Sequence, residues 1–471
     1  MHSGALNPAA TPAPAPRRSR AVSVAPASSG GLGLWLVYAA WATLLMDLHY
    51  FVGIIIAPPL QTAATVLFGG LIVLIALQGP TILASMKSWV WYPPFVLLLG
   101  AAAASLPIAI NTGLARGYLQ YLVIYYVVIV ATALYVKTPR QALPILAILC
   151  WRFVWWAVWT RRSFTAGAPG MGITWHPTMA NYDGFGGLMV QGAAVCYWFG
   201  MAARSRVQRF LLFLLAAYCV AGVVGSYARG AFLALCIVVF LVWLRSPRKL
   251  LTGMGLVGAA IVVLAAAALL FDAGAFWQEM ATVFQEGTEE GTGETRMILW
   301  GAATRVWMEY PIFGVGLGNW GVFASQFFRP GEIPGFDNPN AFWGMNTHNA
   351  YFQLLAELGI VGLAAFIWCI VDFFIKNRAL SQPEAVARWN STDAGHKFDL
   401  RYLGLGLEGA MVATILVNMV YASLFEPWFI SIWAANRMLW ALVARDTVPA
   451  SKGVGPPAAG RRMARRPFRT G

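Results

Sequence analysis

Long apolar stretches recur from residue 33 almost to residue 444, and they restrict the fold of this chain more than any other feature. A helix needs about 20 apolar residues to cross the roughly 30 Å of hydrocarbon in a bilayer. We count about twelve such stretches. Only 11% of the residues are charged, which is typical of an integral membrane protein. The sequence therefore predicts an all-α polytopic membrane protein with about twelve transmembrane helices.

The predicted spans alternate with loops of very different charge. The spans are residues 33–57, 61–79, 89–110, 117–136, 141–159, 186–203, 210–226, 230–244, 251–271, 350–375, 402–423 and 427–444. Lys and Arg are concentrated in alternate loops and in both tails, and short loops rich in these residues stay on the cytoplasmic side. This pattern predicts cytoplasmic N and C termini. It attributes the net charge of +14 to topology and contact with anionic lipids, not to nucleic acid.

Five regions follow from this topology. We expect a disordered cytoplasmic tail at 1–30, transmembrane helices 1–9 at 31–271, a large periplasmic loop at 272–349, helices 10–12 at 350–445 and a basic cytoplasmic tail at 446–471. A loop as long as 272–349 is usually functional or disordered. Its many tryptophans argue against disorder. We therefore expect this loop to fold back onto the membrane and to contain the catalytic region.

The loop contains a predicted helix at residues 295–309, with Thr292 or Thr295 available as its cap and Pro311 after its end. An apolar stripe at helical spacing predicts the packed face, and its members are Met297, Trp300, Ala303, Val306 and Trp307. The stretch after this helix has glycines in the G-x-G-x-x-G spacing, at Gly316, Gly318 and Gly321. A dinucleotide site needs that motif between a strand and a helix. Here it predicts a tight turn.

Acidic residues precede the same helix, and they are Asp272, Glu279, Glu286, Glu289, Glu290 and Glu294. Their Gly and Thr interruptions favour a solvated turn. A Mg²⁺ or Ca²⁺ site is the alternative. We expect no metal and no cofactor.

Arginines at the predicted outer surface change the interpretation of His348, one of two histidines placed there. A single outward histidine is more often an ordinary polar contact than a catalyst. Arg229 and Arg296 are predicted to approach it at the outer membrane surface. Guanidinium groups bind phosphate in a bidentate manner, although an interfacial arginine also places its charge in water at little cost. Further outward positive charge comes from Arg116, Arg161 and Arg162.

These residues suggest a transfer reaction. A neutral His348 would take a proton from an acceptor hydroxyl, while Arg229 and Arg296 would neutralise a departing pyrophosphate without a metal. Asn349 is placed to orient the imidazole or to bind sugar, and Tyr351 is placed to bind sugar.

Three segments resemble, in order, the motifs of the O-antigen ligase and polymerase superfamily. They are "GSYARGAFLAL", "TRMILWGAATRVWMEYPIFGVGLGNW" and "NTHNAYFQLLAELGIVGL". The family pattern is an S-x-x-R-G-like turn, an R-x-x-x-W helix leading to P-x-x-G-x-G, and an H-N pair opening a helix with a later E-x-G. Arg229, Arg296 and His348 match its essential positions.

The resemblance implies a metal-independent, inverting glycosyltransferase of the GT-C type in the bacterial inner membrane, with its active site facing the periplasm. Its donor would be a glycan on undecaprenyl pyrophosphate and its acceptor lipid A-core. Other members polymerise repeat units or glycosylate proteins, and the motifs do not separate these activities. His176 and Asn181 precede a predicted span and are further candidates for glycan contact. The resemblance gives Glu357 a place in the motif but no role, and Glu408 neither.

A transporter for an anionic lipid or sugar is the alternative from a different class. Transporters usually show two similar halves and broken helices near mid-membrane. Here the polar groups gather in one outer loop, which favours the enzyme.

Overall fold

The computed structural model describes residues 31–47, 59–77, 93–164, 182–270, 273–285, 291–329, 332, 344–422 and 426–444. Across these residues the chain is helical, and its only extended pairing is an isolated antiparallel bridge between Ala203 and Phe398. The helices are α1 Leu32–Met46, α2 Pro59–Leu77, α3 Pro93–Ala104, α4 Thr112–Tyr135, α5 Pro139–Phe164, α6 Tyr182–Ala202, α7 Arg206–Ser226, α8 Arg229–Arg245, α9 Lys249–Leu270, α10 Ala273–Gln285, α11 Gly291–Glu309, α12 Trp320–Phe323, α13 Ala350–Leu380, α14 Pro383–Asn390, α15 Leu400–Val417 and α16 Pro427–Ala444.

Each of the predicted spans overlaps one of these helices, namely α1 to α9, α13, α15 and α16. Five helices of the described part are long and apolar enough to cross a membrane, namely α4, α6, α7, α13 and α15. Large apolar side chains such as Phe210, Leu211 and Leu214 on α7 face outward. An outward apolar surface of this kind suits lipid and not water. The protein is an all-α membrane protein, and the number of its spans stays a prediction.

Helix α6 is buried along almost its whole length and packs against α5, α7, α8 and α15. Its glycines permit this close packing. Beside Gly187 the neighbour is Val417 of α15, and beside Gly192 the neighbours are Phe153 of α5 and Cys219 of α7. Small residues let helix backbones approach closely where lipid supplies no hydrophobic drive for association. The helix core is therefore held by close packing around α6.

A buried polar network also joins four helices at the core. The guanidinium of Arg152 on α5 donates to Ser431 Oγ of α16 at 2.9 Å and to Gln191 Oε1 of α6 at 2.6 Å. The amide of Gln191 then donates to Thr414 Oγ1 of α15 at 2.8 Å. A buried arginine needs such partners because an uncompensated charge in hydrocarbon is expensive.

The two ends of the helix bundle differ in charge. The first, which we call the basic end, holds the connections from α4 to α5, from α6 to α7 and from α8 to α9. Its cations include Lys137, Arg140, Arg204, Arg209 and Arg245. The opposite end, which we call the site end, holds the starts of α6, α8 and α13 and the described part of the loop at 272–349.

At the site end, residues 311–320 lie against a break in α13. The break is at Gly359, whose φ of 62° and ψ of −162° are not helical. The N–H groups of Val315 and Gly316 donate to the carbonyls of Ala356 and Glu357 at 2.9 and 3.0 Å. In return, the N–H of Ile360 donates to the carbonyl of Pro311 at 2.9 Å. The break thus frees backbone groups of α13 to hold the loop.

The expected tight turn is present in this segment. Gly316 and Gly318 have φ of 103° and 71°. At Gly318 a Cβ atom would collide with the Tyr118 ring. Only glycine combines this backbone conformation with so close an approach.

The predicted loop helix differs from α11 in two ways. Its end at Glu309 is confirmed, but it begins at Gly291, so Thr292 and Thr295 both lie inside the helix and neither caps it. The buried face consists of Leu299, Ala302, Ala303 and Val306, whereas Met297 is half exposed. The prediction for Met297 was wrong because the face that meets α13 is rotated from the stripe chosen by apolar character alone.

We predict that Gly359→Ala destabilises the protein by more than about 2 kcal/mol. Its backbone lies in a region essentially confined to glycine, and the new Cβ would collide with the Ile312 carbonyl. Thermal unfolding of the detergent-purified protein measures the effect. Gly258→Ala is the matched control, because that helical glycine has no neighbour near a new Cβ. Equal unfolding temperatures for the two variants would contradict the assigned break.

Candidate active site

His348 lies two residues before α13 and is fixed by the capping of that helix. Asn349 is the N-cap, and its side-chain oxygen accepts from the N–H groups of Tyr351 and Phe352 at 2.9 and 3.2 Å. The Asn349 amide also donates to the carbonyl of Met419 at 3.1 Å. His348 itself has a φ of 52°, unusual for a residue with a side chain. A strained residue held by a well-determined surrounding is a common feature of functional sites.

The His348 imidazole is half-buried, and its Nδ1 is buried with no hydrogen-bond partner among the described residues. Burial lowers the pKa of His348, and the positive charge of Arg296 lowers it further. Both effects disfavour the imidazolium, so the ring is neutral at pH 7. A neutral imidazole with an unpaired nitrogen is able to accept a proton.

Arg296 is brought to this histidine by Trp300, which lies one turn further along α11. The indole N–H of Trp300 donates to the carbonyl of Thr347 at 3.0 Å, directly before His348. The indole also stacks on Phe352 of α13, with ring centroids 5.3 Å apart. Residues four apart share one face of a helix. The R-x-x-x-W spacing therefore directs Arg296 and the Trp300 anchor to the same side.

Arg229 is the first residue of α8 and follows the sharp turn at Tyr227, whose φ is 56°. Its guanidinium donates to Thr282 Oγ1 and lies 3.4 Å from Glu279 Oε1, and both partners are on α10. Tyr227, Phe276 and Phe232 pack edge to face beside this contact. The aromatic cluster fixes α10 against α8, and α10 in turn orients Arg229.

Asp183 is a candidate site residue that the sequence reasoning missed. It lies in the first turn of α6 and is buried. The charges of Arg296 and Arg229 both act on its carboxyl. Both arginines therefore lie within electrostatic range of Asp183, and Arg296 also acts on His348. In sequence, Asp183 resembles an ordinary acidic residue in the first turn of a helix. The useful signal was a carboxyl at the mouth of an otherwise apolar span.

Glu357 holds the glycine loop in place. One oxygen of its buried carboxylate accepts from the N–H of Gly318 at 2.8 Å, and the other from the N–H of Trp320 at 3.3 Å and the amide of Gln353 at 3.1 Å. Gln353 is on the same helical face, one turn before Glu357. This accounts for the E-x-G motif: Glu357 binds the loop, and Gly359 makes the break that admits it.

A second contact ties the same loop to the α3–α4 connection. Asn319 Oδ1 accepts from the N–H of Asn111 at 2.7 Å, and the Asn319 amide donates to the carbonyls of Asn111 and Leu317. The N–H of Leu317 donates to Ser105 Oγ at 3.2 Å. The loop after α11 is thus held from both sides.

The other predicted site residues are not brought into this cluster by any described contact. Asn349 is engaged as the helix cap, and the Tyr351 hydroxyl donates to the carbonyl of Ile415 at 3.1 Å. Sugar binding by these two residues stays a prediction. Arg116 is exposed on α4. The side chains of Arg161 and Arg162, and the whole of His176 and Asn181, lie outside the described residues.

Within the described part of the chain, no group of three His, Cys, Asp or Glu residues is arranged to hold a metal ion. Of the acidic loop residues, Glu279 is paired with Arg229. Asp272, Glu286, Glu289 and Glu290 lie outside the description.

The fold is that of a multi-pass membrane protein, with a candidate histidine–arginine site at one end of its helices. Residues 210–367 match the family model described as O-Antigen ligase. The match includes all three motif segments, with Arg229, Arg296, His348 and Glu357. It confirms the resemblance of this chain to the O-antigen ligase and polymerase superfamily, and at that level it indicates a membrane-embedded transferase. A comparison with curated proteins found no match.

We predict that Glu357→Gln destabilises the loop at 311–320 by about 1 to 3 kcal/mol. The amide replaces one acceptor oxygen with a donor, so at least one buried N–H among those of Gly318 and Trp320 loses its partner. Thermal unfolding and the rate of proteolysis within residues 311–329 measure the loss. Glu309→Gln, at the exposed end of α11, serves as the control. Wild-type behaviour of Glu357→Gln would disprove the assigned role.

Proposed function

We propose that this protein is an O-antigen ligase, which transfers a glycan from undecaprenyl pyrophosphate to a sugar hydroxyl of lipid A-core. The observation that carries the proposal is His348, whose buried Nδ1 has no hydrogen-bond partner among the described residues and whose pKa is lowered by burial and by the charge of Arg296. A general base and a pyrophosphate-binding cation are the two groups that such a transfer requires.

In the proposed reaction, His348 takes the proton from the acceptor hydroxyl as its oxygen attacks the anomeric carbon of the donor sugar. The new C–O bond forms on the face opposite the bond to pyrophosphate, so the configuration inverts. The bond between the anomeric carbon and the pyrophosphate oxygen breaks, and its electron pair leaves with undecaprenyl pyrophosphate. The proton remains on His348 until it is released to solvent or to the product.

Arg296 and Arg229 stabilise the charge that develops on the leaving pyrophosphate. Each guanidinium presents a planar set of donors that fits two phosphate oxygens. Glu279 holds the donors of Arg229 ready, because its negative charge orients that guanidinium before the substrate enters. Preorganised groups of this kind spend no further free energy on reorganisation during the reaction.

The proposed orientation has the basic end in the cytoplasm and the site end in the periplasm of the bacterial inner membrane. It is supported by the cations of the basic end, since short loops rich in Lys and Arg stay cytoplasmic. A GT-C type architecture with about twelve spans belongs to the same proposal.

The test supplies the purified protein with undecaprenyl-pyrophosphate glycan and lipid A-core, and identifies by mass which molecule receives the glycan. We expect modified lipid A-core, with the rate reduced about 10² to 10⁴-fold in His348→Ala. His396→Ala is the matched control, because that histidine is exposed at the basic end. Longer lipid-linked glycan together with unmodified lipid A-core would contradict the ligase proposal and would indicate a polymerase.

The pH dependence of transfer provides a separate prediction. Burial and Arg296 lower the pKa of His348, so its protonation should begin to reduce kcat/KM only at a pH below about 6.5. Below the pKa, kcat/KM should fall by about tenfold for each further pH unit. Arg296→Gln removes a cation that disfavours the imidazolium, so the acid limb should move to higher pH. Arg296→Lys keeps the charge and should leave the limb in place while lowering the rate. An acid limb unaffected by Arg296→Gln would remove His348 as the titrating base.

A further inference from the structure

A cavity of about 580 Å³ lies at the basic end, between α5, α7 and the segment that leads into α15. This volume is typical of sites that bind a small molecule or part of a lipid. None of His348, Arg229, Arg296 and Asp183 lines it, and the one lining residue of α6, Phe199, lies near the opposite end of that helix from Asp183. The cavity is therefore separate from the candidate active site.

The walls of this cavity are mainly apolar, and one side opens outward. Leu143 and Leu146 of α5 face Leu212 and Leu215 of α7 across it. Trp151 and Leu211 also line it, and each is 55% exposed on the outer surface of the helices. An apolar cavity that opens toward the hydrocarbon of a bilayer is accessible to a lipid chain.

The rim toward the basic end is cationic. Arg140 at the start of α5 and Lys397 before α15 both line the cavity, and both side chains are exposed. None of the described lining residues is acidic. Asp399, close to Lys397 in sequence, is engaged by Arg401 at 3.2 Å. The two cations of the rim thus face the cavity without a carboxylate in its lining.

The backbone around Lys397 is firmly held. The N–H of Arg204 donates to the carbonyl of Lys397, and the N–H of Asp399 donates to the carbonyl of Ala202, both at 2.9 Å. Arg204 Nε also donates to the carbonyl of Gly395 at 2.9 Å. These bonds fix the backbone from which the Lys397 side chain reaches the rim.

We propose that this cavity binds one anionic phospholipid of the surrounding membrane. Its phosphate contacts Arg140 and Lys397, and one acyl chain lies between α5 and α7. A cationic rim continuous with an apolar wall fits a lipid better than free phosphate, which uses only the rim. Basic pockets between membrane helices on the cytoplasmic side are known to favour anionic head groups.

The first experiment measures phospholipid retained on the purified full-length protein by native mass spectrometry, with phosphatidylglycerol and phosphatidylethanolamine offered separately. We expect retention of one phosphatidylglycerol and weaker retention of the zwitterionic lipid. Arg140→Gln combined with Lys397→Gln should weaken phosphatidylglycerol binding by roughly 30-fold, since each such cation contributes about a five-fold factor. Arg248→Gln combined with Lys249→Gln removes the same charge from the α8–α9 connection, outside the cavity lining, and should leave binding unchanged.

A second variant tests the apolar wall. Ala147 lines the cavity, and Ala147→Trp should fill it and reduce retention of both lipids without changing the charge. Thermal unfolding shows that each variant is folded before it is compared. Equal losses in the two charge variants, or undiminished binding in Ala147→Trp, would overturn the site. Displacement of phosphatidylglycerol by an equal concentration of undecaprenyl phosphate would also overturn it, in favour of a polyprenyl site.

Discussion

The carboxylate of Glu357 and the break at Gly359 control the arrangement of the site end. The break exposes backbone groups of α13, and these groups pair with residues 311–316. The carboxylate then binds the N–H groups of Gly318 and Trp320. The loop joined to α11 is thereby fixed to the helix that begins after His348. Together with the Trp300 contact to the backbone before His348, this connection fixes the helix that carries Arg296 relative to the histidine.

The candidate site combines groups from four distant parts of the sequence by a small number of strong anchors. Trp300 attaches α11 to the backbone before His348, and the aromatic contacts of Tyr227 attach α10 to α8. Asp183 on α6 lies where the charges of both arginines act. Buried charges of opposite sign require such a geometry, because an isolated one in an apolar surrounding is expensive. The site is thus built into the helix packing and does not depend on the long loop alone.

The cations of the candidate site and those of the cavity at the basic end lie in different surroundings. At the site end, carboxylates engage the cations, so Arg229 is held by Glu279 before a substrate binds. At the basic end, the cavity beside Arg140 and Lys397 has no acidic lining residue in the described chain. A cation already oriented by a carboxylate suits transient binding of a leaving group. A cation without one suits a resident anion.

The sequence alone determined the helices, because apolar runs long enough for a bilayer allow little else. It also singled out Arg229, Arg296 and His348 as candidates, since each lies in a short motif that resembles those of the superfamily. Asp183 and the buried face of α11 were decided only by the tertiary structure. A carboxyl in a first turn has the same local sequence whether or not the charges of two arginines act on it. The apolar stripe that included Met297 shows the same limit, because helix periodicity does not specify which face meets a neighbour. Glu357 was visible as a charged residue in a span, but its partners come from a loop that is brought to it only by folding.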